Sequence, residues 1–350
     1  MLLNDVTLST EEAFELIKRN TEEIVDEDEL RQVLEEGNPK AYWGTAPTGR
    51  IHIGYLIPMS KIADFLNAGV DFKILLANLH AHLDDMKSPF ELLEHRTEYY
   101  RQVILGMLEG LGVDPHQVKF VIGTDFELDS NYSLDLLKLS AMVTLNRSRR
   151  AGAEVVRTAN DPKLGAFIYP LMQSLDVPYL DCNIAFGGID QRGIYMLGRE
   201  YLPKIGYPKP ICVFNPLLPG LTGEKMSASE ESTKIDALEP PKTLQKKYSK
   251  SFCPEKQIDD NPVLFFAKTV IFPYLERIEE QFEVKRPEKF GGDISFKTYS
   301  QLENAYGSGA LHPADLKKAI GSYLVRILEP VRKRFETRPD LLEKAYPTTK

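Results

Sequence analysis

Two short segments of the chain combine residue types that bind phosphate groups. In the first, residues 42–55 (YWGTAPTGRIHIGY), an apolar run passes through a proline–glycine loop to His52. Free N–H groups at the start of a helix attract anions, and a histidine placed there can donate a hydrogen bond to a phosphate. Gly54 would let a flat base lie against the backbone. Taken alone, the segment also fits an ordinary strand–loop–helix turn with a surface histidine.

The second segment, residues 220–229 (GLTGEKMSAS), combines glycines with the cation of Lys225 and the hydroxyls of Ser227 and Ser229. Such a loop could close on phosphates while their charge develops. It is not a P-loop, because the order G-x-x-x-x-G-K-[ST] is absent. A flexible loop between two domains is the alternative, but the two segments in this order are more specific than either one alone.

A third group of polar residues shares one face of a predicted helix. Tyr169, Gln173 and Asp176 are spaced i, i+4 and i+7, which places all three side chains on the same side. An aspartate on an otherwise apolar face is costly to bury without a partner. The spacing therefore predicts a polar pocket, with a surface aspartate at a helix end as the alternative.

One group of residues resembles a metal site but lacks a complete set of ligands. His80 and His82 lie two residues apart at the end of a predicted strand, and Asp84 and Asp85 follow them. No matching set of ligands appears elsewhere in the chain, so we predict no tightly bound metal.

Composition and charge bound the class of protein. The 350 residues include 43 Lys and Arg against 51 Asp and Glu, a formal net charge of −8. At roughly 150 residues per domain, this length indicates two domains. No apolar run approaches the roughly 20 residues that span a bilayer, and the N-terminal residues do not resemble a secretory signal. Three scattered cysteines favour a reducing compartment, so we predict a cytoplasmic protein that does not associate with membranes.

The negative charge excludes nucleic-acid binding through bulk electrostatics, so any such role needs local basic patches. The densest cluster in the first two thirds of the chain contains Arg147, Arg149 and Arg150, with Lys138 and Arg157 nearby. This cluster could contact a phosphate backbone. A solvated helix face is the alternative.

The elements that position these residues alternate between strand and helix from residue 41 to residue 214. Apolar runs predict strands at residues 41–45, 70–77, 118–123, 179–185 and 211–214, with helices between them. This alternation is typical of an α/β fold with a doubly wound parallel sheet. Beyond residue 240 the pattern turns mostly helical, including one long helix over 314–335. We therefore predict a catalytic domain over 1–230 and a helical C-terminal domain over 231–350.

Several motifs resemble one family. Residues 52–55 (HIGY) resemble the HIGH motif of class I aminoacyl-tRNA synthetases, and residues 225–229 (KMSAS) resemble their KMSKS motif. The stretches YWGTAPTGRIH, IYPLMQSLD and FGGIDQR are similar to the tyrosyl-tRNA synthetases of archaea and the eukaryotic cytoplasm, as are RPEKFGGD and LHPADLK in the C-terminal part. Two positions depart from the family pattern: Ala228 stands in place of a lysine, and Asn78 stands where an aspartate is expected.

The resemblance implies the activation of L-tyrosine by ATP, with Mg²⁺ accompanying ATP, in a Rossmann-like catalytic domain. It assigns the substrate phenol to Tyr42 and Asp176. The following residues are implied to hold the rest of the amino acid: Tyr169, Gln173 and Gln191. The following are implied to bind ATP: Gly44, Pro47, His52, Gly54, Lys225 and Met226. The catalytic set implied by the two motifs consists of His52, Gly54, Lys225, Ser227 and Ser229.

The resemblance also implies a tyrosine tRNA as partner and a homodimer as the assembly. Arg150 and Arg192 match positions near the first base pair of the acceptor stem. In the C-terminal domain, which the family uses for the anticodon, Phe290 and His312 match residues that stack on its first base, and Asp315 matches the residue that hydrogen-bonds it. Aromatic stacking plus one acceptor is a sensible way to recognise an unpaired base.

Three alternatives to this interpretation remain. A tryptophanyl-tRNA synthetase shares the fold and both motifs, but indole has no hydroxyl for Tyr42 and Asp176. An inactive paralogue that acts as an RNA-binding protein would not need the intact His52, Gly54 and Lys225. A small-molecule nucleotidyltransferase would have no use for the helical C-terminal domain.

Overall fold

The computed structural model describes residues 8–84, 86–155, 162–221 and 234–347. Several residues singled out by the sequence lie outside these ranges: Asp85, Arg157, Lys225, Met226, Ser227, Ala228 and Ser229. The predicted domain boundary at 230 lies outside them too and stays a prediction. Among the described residues, no helix combines the length and apolarity needed to cross a membrane.

A six-stranded sheet forms the centre of the first part of the chain. Its strands are β1 (Glu23–Val25), β2 (Lys40–Thr45), β3 (Asp71–Leu76), β4 (Val118–Ile122), β5 (Ile184–Gly188) and β6 (Ile211–Asn215). The order across the sheet is β1-β6-β5-β2-β3-β4, and β2 to β6 are parallel, which confirms the predicted doubly wound sheet. The sequence did not indicate β1, which pairs antiparallel with β6 and makes the sheet mixed.

Nine helices cover this sheet among the described residues. They are α1 (Thr10–Lys18), α2 (Glu27–Glu35), α3 (Leu56–Asn67), α4 (Asn78–Leu83), α5 (Leu93–Gly110), α6 (Ser130–Met142), α7 (Leu145–Ala151), α8 (Gly165–Tyr179) and α9 (Arg192–Tyr201). The strand predicted at 179–185 is present as β5, but its predicted start was wrong, because Tyr179 ends α8 and β5 begins only at Ile184. Asp181 adopts a left-handed φ of 51°, so a turn and not a strand leaves the helix.

The C-terminal part is mostly helical, as predicted. Its helices are α10 (Pro241–Tyr248), α11 (Pro262–Phe266), α12 (Phe272–Arg277), α13 (Tyr299–Ser308), α14 (Pro313–Ile327), α15 (Glu329–Glu336) and α16 (Pro339–Ala345). A short antiparallel hairpin of β7 (Phe282–Val284) and β8 (Ile294–Phe296) was not predicted. The single helix predicted over 314–335 is interrupted at Leu328, because Pro330 has no N–H to continue the hydrogen-bond ladder.

One hydrophobic core continues from the sheet into the C-terminal helices. Met107 and Leu108 of α5 belong to the same buried cluster as Leu324 of α14 and Val331 of α15. At Gly110 the two layers approach so closely that an added Cβ would lie 1.8 Å from the carbonyl oxygen of Ile327. The absence of a side chain at Gly110 therefore sets the distance between α5 and α14.

We expect Gly110→Ala to destabilise the fold by about 1–3 kcal/mol, the usual cost of forcing extra volume into a packed interior. Gly198→Ala in α9 is the matched control, since its new Cβ would meet neighbouring atoms only at ordinary distances of 3.5 Å or more. Alanine is the better helix former, so the control should keep or slightly increase stability. The free energy of unfolding in urea measures both variants, and equal stability of the two would contradict this account of the interface.

Candidate active site

The candidate site lies at the carboxyl ends of the central strands. At this position the connections that leave two neighbouring strands pass to opposite faces of the sheet. Such a switch point occurs here between β2 and β5, and it is where doubly wound sheets bind ligands. Tyr42 of β2 pairs with Ala185 of β5 at this position. Helix α8, which carries three of the predicted site residues, packs against α9 and α4 beside the same edge.

One end of the site is polar although it is fully buried. Tyr42 has no exposed surface, and its hydroxyl donates a hydrogen bond to the carbonyl oxygen of Gln173 at 3.3 Å. Asp176, three residues further along α8, is 1% exposed. Burial raises the pKa of the Tyr42 phenol well above its usual value and also raises the pKa of Asp176. A neutral phenol therefore lies at the same end of the site as a buried carboxyl group, whose ionised form costs free energy to remove from water.

The other predicted tyrosine-pocket residues form a neighbouring group. The Gln173 side chain donates from Nε2 to Oε1 of Gln191 at 3.0 Å, and Gln191 donates in turn to Oδ2 of Asp190 at 3.2 Å. Tyr169 is 9% exposed, and burial raises its pKa, so this phenol stays neutral. The structure thus brings Tyr169, Gln173 and Gln191 close to Tyr42 and Asp176, as the helical spacing predicted for the three on α8.

His52 starts a helical turn, as the sequence predicted. It caps a 3₁₀ turn over Ile53–Tyr55 that leads into α3, and its Nδ1 accepts a hydrogen bond from the N–H of Gly54 at 3.2 Å. Burial lowers the pKa of His52 to about 4, helped by the charge of Lys234. The imidazole is therefore neutral at physiological pH, and with Nδ1 acting as acceptor its proton is on Nε2, where it can be donated to a ligand.

The chain returns to this turn after the undescribed residues 222–233. The N–H of Ile53 donates to the carbonyl oxygen of Ile235 at 2.9 Å, and the N–H of Ala237 donates to that of Ile51 at 2.9 Å. On the other side of the gap, Leu218 lies within 3.8 Å of the position of a Cβ at Gly54. Described residues on both sides of the KMSAS segment therefore contact the turn that carries His52.

The two other residues predicted to bind the nucleotide lie at the same end of β2. Gly44 is the last residue but one of this strand, and an added Cβ there would contact Leu75 of the neighbouring strand at 3.7 Å. Pro47 follows the strand and is buried. Both lie on the segment that connects Tyr42 with His52, so the predicted amino-acid and nucleotide sites adjoin.

The side chains of His80, His82 and Asp84, considered above as possible metal ligands, do not come together in the structure. His82 places Nδ1 3.1 Å from the carbonyl oxygen of Ser88, and Asp84 pairs with Lys87. His80 instead points to Glu127 and Asp176, and the ligating atoms of these three residues all lie within 4.8 Å of one another. Their donor types would suit a divalent cation, but Asp176 belongs to the predicted amino-acid pocket.

Sequence reasoning missed three residues of the site. Glu127 follows the carboxyl end of β4, the hydroxyl of Tyr132 lies 3.4 Å from Oδ1 of Asp176, and the ring of Tyr195 contacts that of Tyr42 edge to face. The position of Glu127 just beyond a parallel strand was a usable signal, because such positions meet at the ligand-binding edge. Nothing in the sequence singled out Tyr132 or Tyr195.

The residues predicted to bind RNA lie in two regions. Arg150 is exposed in the last turn of α7, whereas Arg192 at the start of α9 makes a two-pronged ion pair with Glu23 at 2.6 and 2.9 Å. In the C-terminal part, Phe290 is 59% exposed between β7 and β8, and His312 caps α14. Asp315 lies in the first turn of that helix.

Arg286 connects the two C-terminal positions. Its guanidinium donates to the carbonyl oxygen of Gly292, which follows Phe290 by two residues, and to that of Ala310, which precedes His312 by two. The hairpin turn and the start of α14 are thus held on the same side of the C-terminal part.

Residues 34–329 match the family model described as "tRNA synthetases class I (W and Y)". A tyrosine–tRNA ligase of Haloarcula marismortui is 49% identical over 340 residues, which cover 97% of this chain and 98% of the relative. A cytoplasmic tyrosine–tRNA ligase of Danio rerio is 47% identical over 97% of this chain and 64% of its own length. A crystal structure of the tyrosyl-tRNA synthetase of Archaeoglobus fulgidus, complexed with L-tyrosine, superposes with a TM-score of 0.87 at 42% identity and covers 93% of this chain and 99% of that one.

The relatives match along nearly the whole chain, and the solved structure shares its fold. The matched region includes both the α/β part, with the site at its switch point, and most of the helical C-terminal part. The chain therefore belongs to the class I tRNA synthetases of the tryptophan and tyrosine type, and within them to the tyrosine–tRNA ligases.

Proposed function

We propose that this chain is a tyrosine–tRNA ligase, which activates L-tyrosine with ATP and transfers the tyrosyl group to the 3′ end of its tRNA. The observation that carries this proposal is the buried polar end of the site, where the phenol of Tyr42 and the carboxyl group of Asp176 are both removed from solvent. A substrate hydroxyl can both donate and accept a hydrogen bond here, whereas the indole of tryptophan can only donate one and the ring of phenylalanine can do neither. The identity of the relatives supports the same substrate.

In the first step, the carboxylate of tyrosine attacks the α-phosphorus of ATP, tyrosyl-adenylate forms and pyrophosphate leaves. The substrate is its own nucleophile, so catalysis depends on positioning and on charge stabilisation. Tyr169, Gln173 and Gln191 hold the ammonium and carboxylate groups. Gly44 and Pro47 line the nucleotide side, and Mg²⁺ accompanies ATP as part of the substrate.

The phosphates lie at the turn formed by His52 and Gly54. Nε2–H of His52 donates to a phosphate oxygen, and the free N–H groups of the turn add partial positive charge. We assign Lys225 to stabilisation of the leaving pyrophosphate, and Met226, Ser227 and Ser229 of the same motif to the same step. The positions of Leu218 and Ile235 support that assignment. They lie on either side of the segment that carries Lys225, and both are close to this turn.

In the second step, a ribose hydroxyl at the 3′ end of the tRNA attacks the carbonyl carbon of the adenylate, and AMP leaves. Arg150 and Arg192 contact the acceptor stem, while Phe290, His312 and Asp315 recognise the anticodon. A groove between α10 and α14 is lined by Ala314, which precedes Asp315 in the chain, and by several lysines, which give this part of an acidic chain a cationic surface: Lys242, Lys246, Lys317 and Lys318. We further propose a cytoplasmic homodimer, in which one tRNA contacts both subunits.

Asp315→Ala should raise the KM for tRNA about tenfold or more, since a hydrogen bond to a charged group contributes about 1.5–3 kcal/mol. Tyrosine-dependent ATP–pyrophosphate exchange should stay unchanged, because that half-reaction needs no tRNA. Asp340→Ala is the matched control: Asp340 is also an acidic residue in the first turn of a helix, so both variants lose the same favourable interaction with the helix dipole. A loss of exchange activity in folded Asp315→Ala would contradict its assignment to tRNA recognition.

Charging of total tRNA with radioactive amino acids tests the overall proposal. We expect tyrosine to be attached to tRNA and tryptophan not to be. Charging with tryptophan would support the alternative synthetase, and RNA binding without any charging would support an inactive paralogue.

A further inference from the structure

Three ionisable side chains are buried together behind the polar end of the site, and we refer to His80, Glu127 and Asp176 as the His80 cluster. His80 and Asp176 are each 1% exposed and Glu127 is 4% exposed. They come from three separate places in the chain: α4 after β3, the turn after β4, and helix α8. Removing ionised groups from water costs free energy unless the groups are paired, so we expect the members of this cluster to stabilise one another.

The imidazole of His80 lies between the two carboxyl groups. Its Nδ1 is 3.2 Å from Oε1 of Glu127, and its Nε2 is 3.8 Å from Oδ2 of Asp176. The ring of Tyr169 meets the imidazole edge to face at 4.8 Å between ring centres. Each ring nitrogen therefore faces a carboxyl oxygen, and the imidazole plane is held by an aromatic neighbour.

The number of protons in this arrangement limits its charge states. A neutral imidazole has one N–H and one lone pair, so one of its nitrogens would direct a lone pair at a carboxyl oxygen, which is repulsive when that carboxyl group is ionised. An imidazolium carries an N–H on both nitrogens and faces two carboxylates without such repulsion. Burial raises the pKa of Asp176 to about 8, and the charge of His80 acts in the opposite direction. Burial by itself lowers the pKa of His80, but the charges of Glu127 and Asp176 outweigh burial and raise the pKa above its usual value.

Both carboxyl groups are packed against neighbouring residues. The carboxyl group of Glu127 lies beside Gly123, where an added Cβ would be 2.7 Å from both of its oxygens. Within the described residues, neither oxygen of Glu127 and neither ring nitrogen of His80 has a well-aligned hydrogen bond, so the charged groups of the cluster face one another without one.

The second oxygen of Asp176 lies 3.4 Å from the hydroxyl of Tyr132, which also donates to the carbonyl oxygen of Met172 at 3.0 Å. Burial raises the pKa of Tyr132 and Tyr169, the two phenols packed against the cluster, so both stay neutral.

Resting on the proposed function, we propose that His80 is a positioning residue for tyrosine specificity. Glu127 keeps it as an imidazolium, and the positive charge of the imidazolium opposes the effect of burial on Asp176, which favours an oriented carboxylate that accepts the hydroxyl proton of the substrate. A protonated Asp176 could donate to the phenol oxygen but would accept less strongly. Glu127 thus acts on the substrate through two other residues and does not touch it.

The charge of His80 can be measured without any enzymatic activity. In a ¹⁵N–¹H correlation spectrum of protein labelled on its histidines, of which there are 6, the His80 signal is assigned by its loss in His80→Gln. We expect both ring nitrogens of His80 to be protonated at pH 7.5 in the wild type, and one of them to lose its proton in Glu127→Gln. Glu127→Asp, which keeps the charge, should retain the imidazolium. A neutral His80 in the wild type would overturn the proposal.

Steady-state exchange kinetics measure the consequence for specificity. We expect Glu127→Gln to raise the KM for tyrosine about tenfold or more, the effect of weakening one charge-assisted hydrogen bond, and to lower the preference over phenylalanine. The KM for ATP should not change, which separates this effect from general loss of structure. Asp125→Asn is the matched control, since Asp125 is an exposed carboxylate two residues away in the same turn.

Failure of the proposed role of the His80 cluster can be distinguished from failure of the proposed function. A wild-type tyrosine KM and tyrosine-to-phenylalanine ratio in Glu127→Gln would contradict the role of the His80 cluster. Absence of tyrosine-dependent exchange in the wild type would contradict the proposed function, whatever the charge of His80.

Discussion

A protein carrying both Tyr42→Phe and Asp176→Ala should lose most of its activity toward tyrosine and much of its preference for tyrosine over phenylalanine. Tyrosine and phenylalanine differ by one hydroxyl, so the enzyme can separate them only with groups that the hydroxyl satisfies. Tyr42 and Asp176 are both buried at one end of the site. With phenylalanine bound, each would lack the hydrogen bond that the substrate hydroxyl provides, at a cost of about 1–3 kcal/mol apiece.

The double variant removes the two groups that the substrate hydroxyl would contact. We expect the ratio of kcat/KM for tyrosine to that for phenylalanine to fall about 100-fold or more, which corresponds to about 3 kcal/mol. The two single variants should not add up to the double, because both side chains contact one hydroxyl. The ratio is measured by amino-acid-dependent exchange on the wild type and the three variants.

Tyr248→Phe controls for the loss of a buried phenolic hydroxyl, since Tyr248 is fully buried in α10 and far along the chain from the pocket residues. It should keep the wild-type ratio. A wild-type ratio in the double variant would show that the phenol is recognised elsewhere.

Replacing His52 should lower the rate of adenylate formation about 100- to 1,000-fold, the usual effect of removing one donor that stabilises developing charge. Because Nδ1 of His52 caps the turn at Gly54, a simple alanine variant would confuse this loss with loss of the cap. His52→Asn keeps an acceptor near the Nδ1 position and removes the donor. His52→Gln places an N–H near the Nε2 position and should recover part of the rate.

The measurement is single-turnover formation of adenylate at saturating ATP, together with the dissociation constant for tyrosine, which should not change. His116→Ala serves as the control, because this histidine is exposed in a separate turn. Burial lowers the pKa of His52 to about 4, so its charge should not change between pH 6 and pH 8. A wild-type rate in His52→Asn, or equal loss of tyrosine binding, would contradict the proposed role.

The sequence revealed the central sheet because strands buried on both faces leave continuous apolar runs. The three-residue elements β1, β7 and β8 are too short to leave a periodic pattern. Tyr179, the last residue of α8, was predicted as the start of a strand, because the proline before it, Pro178, is unusual inside a helix.

The site was predictable where its residues are close in sequence. The spacing of Tyr169, Gln173 and Asp176 follows from helical geometry alone, and His52 follows from a loop that ends a strand. The His80 cluster was not predictable in this way, because the order of the strands alone brings Glu127 next to His80 and Asp176. Pairings between distant segments leave no periodic signal in one sequence.

Amino-acid-dependent ATP–pyrophosphate exchange, run in parallel with each of the twenty amino acids, tests the central claim most directly. It needs no tRNA and reports on the amino-acid pocket and the phosphate site together. We predict that tyrosine alone supports exchange well above the background without amino acid. Exchange driven by tryptophan, or by no amino acid at all, would contradict the assignment of Tyr42 and Asp176 to a tyrosine phenol.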